Sequence, residues 1–149
     1  VIILDNFNIW EAPQIFSGID ASIMVSDVGK EAAATGFMKA QMNGAMVIAT
    51  PDGAVPESVI YHRPGQKVKG ANGFEVAYYN GSPTPDSLLD ALGQFRAVYD
   101  DTPLRIQYVR NALAQLDQVS VHRVSREMIA MCERLKKKNH VDNCVKAGC

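Results

Sequence analysis

The sequence predicts an α/β fold, a parallel sheet followed by C-terminal helices. Short apolar runs bounded by turn residues recur at Val1–Leu4, Ala21–Val25 and Ala45–Ala49, the signature of strands buried on both faces. Helix-length segments at Trp10–Ser17 and Thr35–Asn43 separate them. Apolar stripes of helical period come later, at Leu88, Leu92, Phe95 and Tyr99 and at Ile106, Val109, Leu113 and Leu116. Strand, helix, strand, helix, strand is the grammar of a doubly wound sheet.

Each element has a local reason. Val1–Leu4 is read as the first strand. Trp10–Ser17 carries Pro13 near its start, and Gly18 follows as a C-terminal cap. Ala21–Val25 is the second strand, and Ser26–Thr35 lies beyond its carboxyl end, where open α/β sheets bind ligands. Thr35–Asn43 is a helix stopped by Gly44, and Ala45–Ala49 is the third strand. Tyr61–Asn72 is a loop punctuated by Pro64, Gly65 and Gly70, before an alternating run through Phe74, Val76 and Tyr78 that predicts another strand. Thr84 is placed to cap a helix with Pro85 at its first position. A last helix is expected from about Ser125, with Met128, Met131, Cys132 and Leu135 on one stripe. The expected division is a folded part over 1–138 and an unstructured tail over 139–149.

Composition narrows the function classes. Lys+Arg 15 against Asp+Glu 16 gives a net charge of -1, which argues against a nucleic-acid footprint. Lys136, Lys137 and Lys138 form a short basic run that complements a helix C-terminus. No apolar stretch is long enough for a membrane span, and the first residues lack the pattern of a signal peptide. Cys132, Cys144 and Cys149 have no metal-ligand spacing and are read as thiols. His62, His122 and His140 share no motif and are read as surface or structural residues. A soluble, cytoplasmic protein without a metal, membrane or nucleic-acid partner is expected. Val1 opens directly in an apolar run without an initiator Met, so the chain reads as a fragment.

The run from Glu31 to Glu57 concentrates the chemistry. Small residues at Ala33, Ala34, Thr35 and Gly36 let the backbone approach a ligand, and the following helix offers unpaired N–H groups and the positive end of its dipole. Lys39 sits one turn further in.

This stretch resembles the C-terminal domain of glycogen, starch and maltodextrin phosphorylases, whose motif reads Glu-Ala-Ser-Gly-Thr-x-x-Met-Lys-x-x-x-Asn-Gly. Glu31, Ala32, Thr35, Met38, Lys39, Asn43 and Gly44 fall in register with it. Asp52, Gly53 and Glu57 look like the family's Asp-Gly-x-x-x-Glu segment, and Asp5-Asn6-Phe7-Asn8 looks like its Glu-Asn-Tyr segment. The resemblance is specific from Val1 to Glu57. It implies the later part of a Rossmann-like C-terminal domain of a two-domain glycosyltransferase, whose N-terminal domain closes over the substrate and would have to be supplied as a partner.

The resemblance also implies roles. Lys39 aligns with the lysine that carries pyridoxal phosphate covalently, and Thr35 and Gly36 with the pair that holds the cofactor phosphate. Glu31 aligns with the glutamate that accepts hydrogen bonds from glucose hydroxyls, and the N–H groups of Ala33 and Ala34 would contact the same sugar. Lys39 and Glu31 are thus the catalytic candidates. Without the resemblance, Lys39 reads as a solvated helix lysine, Thr35 as a cap and Glu31 as a carboxylate stabilised by the helix dipole. Asn43, Gly44, Asp52 and Gly53 read as architecture, a helix stop and a turn after a buried strand.

The implied reaction transfers the terminal glucose of an α-1,4-glucan to phosphate with retention, giving glucose 1-phosphate. Negligible turnover is expected from this chain alone. Ala33-Ala34 replaces the family's Ser-Gly, Phe7 and Asn8 replace a tyrosine and a more polar neighbour, and Phe37, Pro51, Val55 and Pro56 also depart from common choices. Two alternatives stay open: a glycogen or starch synthase-like transferase that uses a sugar nucleotide, and a non-catalytic domain for carbohydrate binding or assembly, including homo-oligomers.

Overall fold

A computed structural model describes residues 3–5 and 7–146, with side chains through residue 138. The chain divides into two units, Val1–Leu116 and Asp117–Cys149.

The first unit is organised by a parallel sheet of β1 (Ala21–Met24), β2 (Met46–Ala49) and β3 (Gly73–Glu75), in the order β1-β2-β3. All four residues of the central strand β2 are buried, and their alternation decides the layering. Met46 and Ile48 face a cluster of Phe74 on β3, Val76 just after it, Ala91 and Val98 from α4 (Pro85–Asp100) and Tyr108 from α5 (Thr102–Leu113). Val47 and Ala49 point the other way, onto Phe37 from α2 (Thr35–Met42) and Val55 and Val59 at α3 (Val55–Ser58). Helices therefore cover both faces, the arrangement that a short, wholly apolar parallel strand requires.

A buried polar network joins the layers. Gln41 on α2 donates through Nε2 to the Ser58 carbonyl (3.3 Å), and the Ser58 hydroxyl donates to Gln41 Oε1 (3.3 Å). Asn72 donates to the same carbonyl (3.1 Å) and accepts the Ile60 N–H (2.9 Å). These bonds offset the desolvation of the two fully buried amides, which tie α3 to the approach of β3. At Gly73 the strands come close: a Cβ would lie 2.6 Å from both the Val47 carbonyl oxygen and Val59 Cγ1. His62 is structural, its Nδ1 lying 2.6 Å from the Tyr108 hydroxyl on α5.

Thr84 caps α4 as the sequence predicts, in a reciprocal capping box with Ser87. Leu88, Leu92, Phe95 and Tyr99 all pack against the core. On α5 the buried face differs from the predicted stripe. Leu104, Tyr108 and Ala112 point inward; of the predicted stripe, Val109 is half-buried beside Gly44, whereas Ile106 and Leu113, and Leu116 beyond the end of α5, are exposed. α5 carries enough apolar residues for two faces, and the stacking of Tyr108 on Phe74 at 5.7 Å selects between them.

The expected strand at Val1–Leu4 is not formed among the described residues. Ile3 and Leu4 are exposed and unpaired, since no described strand lies beside them; Val1 and Ile2 lie outside the described residues. The first helix, α1, runs over Ala12–Gly18, after a turn in which Asn8 Oδ1 accepts the Trp10 N–H (2.9 Å). The predicted continuous strand through Phe74, Val76 and Tyr78 is broken. β3 ends at Glu75, and Tyr78–Tyr79 (β4) pairs with Ser82–Pro83 (β5) as a separate antiparallel hairpin.

After α6 (Leu116–Val119), the second unit is dominated by α7, which runs over Val121–Lys146 and so begins before Ser125. Residues 147–149 lie outside the described residues. No helix among the described residues is long and apolar enough to cross a membrane.

Candidate active site

The carboxyl ends of β1 and β2 meet in a polar junction. Beyond Met24, Ser26 donates its N–H to Thr50 Oγ1 (3.1 Å), and its hydroxyl lies 3.2 Å from the same atom. Asp52 follows and organises the whole loop after β1. Its carboxylate accepts the N–H groups of Gly29 (3.2 Å), Lys30 (3.1 Å) and Glu31 (3.0 Å), and the Ser26 hydroxyl (3.3 Å). These backbone donors, Glu31 foremost, hold the Asp52 carboxyl below the ordinary aspartate range, against a smaller opposing effect of burial.

Gly53 completes the junction. It has φ +56°, and a Cβ there would lie 3.2 Å from Glu31 Cγ and 3.3 Å from the Ala32 carbonyl oxygen. Only glycine permits both the left-handed backbone and so close an approach.

Glu31 then turns back on the chain, its Oε1 accepting the Ala34 N–H at 3.2 Å. Ala34 itself is left-handed, with φ 58° and ψ 47°, at the N-terminus of α2. An L-residue other than glycine is strained in this region. The predicted Ser-Gly to Ala-Ala departure thus falls on a position whose backbone favours glycine. Glu31 and Ala34 line a cavity of about 140 Å³ with Ser26, Thr50, Asp52 and Val55.

Lys39 opens elsewhere. It is exposed and lines a groove of about 410 Å³ between α1 and α2 with Ile9, Pro13, Phe16, Met42 and Asn43, its Nζ 6.0 Å from the Phe16 ring centroid. Thr35, also exposed, is one turn before Lys39 on the same side of α2. Gly36 is half-buried, and a Cβ there would meet Met24 Sδ at 3.6 Å. The structure therefore brings Glu31, Ala34 and Asp52 together and puts Lys39 in a neighbouring groove, with the first turn of α2 carrying Thr35 and Gly36. Ala33 is exposed, and the Ala34 N–H is occupied by Glu31.

Reading Asp52 as a turn residue understates it. Ser26 and Thr50 carry no signal of their own in the sequence. An Asp-Gly pair after a buried strand signals a turn, but not that three backbone donors from a loop 21–23 positions earlier would converge on it.

Comparison with known proteins covers this same region. The family model for carbohydrate phosphorylases matches residues 1–65. These residues are similar to carbohydrate phosphorylases. Glycogen phosphorylase of Bacillus subtilis (strain 168) is 46% identical over 54 residues, 36% of this chain and 7% of that protein. The Synechocystis enzyme is 44% identical over 54 residues, again 36% of this chain, and 6% of its own length. The human muscle form of glycogen phosphorylase is 43% identical over 54 residues, with 36% and 6% covered. The matched stretch thus spans only 6–7% of these relatives. The phosphorylase match takes in β1, α2, β2 and the Asp52 junction, and ends before β3.

Proposed function

We propose that this chain carries part of the sugar and cofactor site of a retaining α-glucan phosphorylase. The observation that supports it best is that Glu31, at the carboxyl ends of β1 and β2, and Lys39, on the helix that follows, both fall inside the phosphorylase match. In this reading the Glu31 carboxylate, oriented through Oε1 by the Ala34 N–H, leaves Oε2 for a glucose hydroxyl. The Asp52 carboxylate fixes the loop that presents Glu31.

The residues present fit pyridoxal phosphate. An amine, Lys39, borders an apolar groove large enough for a planar ring, and Thr35 stands one turn away at a helix start, where a phosphate is favoured. Lys39 would hold the cofactor, with Thr35 and Gly36 at its phosphate. When bound, the cofactor supplies a phosphate group that exchanges a proton with inorganic phosphate. The overall exchange cleaves the terminal α-1,4 bond, moves glucose to phosphate as glucose 1-phosphate and returns a proton to the shortened glucan. The α-glucan, phosphate and a cytoplasmic setting belong to the same proposal.

A second reading has one observation in its favour. The left-handed backbone at Ala34 is strained where the family has glycine, which suits a domain that binds carbohydrate without catalysing transfer.

Titration of the chain with glucose 1-phosphate, followed through the backbone amide signals of Ala33 and Ala34, tests the sugar half of the proposal. Saturable shifts that Glu31→Gln abolishes are expected. Amides that stay unmoved at saturating ligand contradict it.

A further inference from the structure

The second unit holds a seam that the phosphorylase reading does not use. Along α7, Val121, Val124, Met128, Met131 and Leu135 recur at alternating spacings of three and four, the a and d positions of a heptad repeat. All five are exposed, by 43% to 71%. His122, Arg123, Arg126, Glu133, Lys136 and Lys137 occupy outer positions of the same heptads. Ile129, 60% exposed, is the exception among those outer positions; an apolar seam on an otherwise polar helix needs a partner surface of the same period.

Charge identifies that partner. The g positions, which flank the seam, are Glu127 and Arg134. In an antiparallel pair, g positions face g positions. The register that sets Met128 opposite Met131 and Val124 opposite Leu135 also sets Glu127 of each helix opposite Arg134 of the other. Val121 then meets Lys138, whose stem covers the valine while its ammonium reaches water. A parallel pair would instead oppose Glu127 to Cys132, and the match is lost. Glu127 already holds Arg123 on its own helix at 2.9 Å, which orients its carboxylate beside the seam.

We propose that α7 pairs with α7 of a second copy of this chain as an antiparallel coiled coil through Val121–Lys138, with Glu127 and Arg134 fixing the register. Cys132 lies beside this seam and not in its centre.

Sedimentation of the whole chain across a concentration series tests this. The mass is expected to rise from 16.3 kDa toward twice that value. Met128→Lys should abolish the rise while circular dichroism shows unchanged helix content. Glu127→Arg and Arg134→Glu should each weaken the dimer by roughly tenfold or more, since each sets like charges together twice. The double variant should restore it. A monomer at every concentration overturns the proposal, as does a dimer indifferent to Met128→Lys or to the charge reversals.

Discussion

Asp52 Oδ2 accepts the Glu31 N–H at 3.0 Å, so a carboxylate after β2 sets the position of the carboxylate that leads into α2. The same oxygen takes the Lys30 N–H, while Oδ1 takes that of Gly29. Orientation of Glu31 is thus inherited from a turn that never needs to touch a ligand.

Asp52→Asn should loosen the loop over residues 26–31. An amide keeps one acceptor oxygen but loses the charge that strengthens these bonds and presents donors to donors. Amide exchange at Gly29, Lys30 and Glu31 should accelerate in the variant while β2 stays protected. The native loop should respond to pH in the same sense. The folded Asp52 pKa lies below its unfolded value, so its contribution is present above the unfolded pKa and is lost as pH falls through the folded one. Loop amides of the native chain should lose protection on acidification in that window, and those of the asparagine variant should not.

Ala34→Gly should stabilise the chain. The left-handed conformation costs alanine about 1–2 kcal/mol, whereas glycine adopts it freely but loses roughly 0.5–1 kcal/mol in backbone entropy on folding. A net gain of up to about 1.5 kcal/mol in urea unfolding is expected. Ala34→Val, β-branched in the same conformation, should lose more than about 1 kcal/mol. Equal stability of all three chains would show that the turn relaxes away from φ 58°.

How much of this is legible in the sequence depends on whether the signal is local. The central strand is, because Met46–Ala49 is apolar on both faces and too short for a buried helix, which suits a doubly covered parallel strand. The α4 cap and stripe are legible for the same reason. Val1–Leu4 has the pattern but lacks a described neighbour to pair with, and a pattern alone cannot supply one. On α5, Ile106 and Leu104 are equally plausible as core, and the choice is made by Phe74, which is more than 25 residues away in sequence. The site divides likewise. Glu31, Thr35 and Lys39 stand in a recognisable order, whereas the grip of Asp52 on the loop arises only when β1 and β2 are side by side and the separate groove of Lys39 only when α1 lies against α2.

Asn72→Ala should cost about 1–3 kcal/mol in urea unfolding, because it removes both hydrogen bonds of a fully buried amide, to the Ile60 N–H and the Ser58 carbonyl. The Ser58 carbonyl retains the Gln41 amide, so Gln41→Ala on top of Asn72→Ala should lose more than the sum of the single changes. Strictly additive losses would mean that the two amides act independently.

We propose that Lys39 holds pyridoxal phosphate in the groove between α1 and α2. Incubation of the chain with pyridoxal phosphate, reduction with borohydride and mapping of the modified peptide test it most directly, with Lys39→Ala as the control. The expected result is a single stoichiometric adduct on Lys39, absent from the control. Labelling spread over Lys30, Lys67 and Lys69 without preference for Lys39 would contradict it.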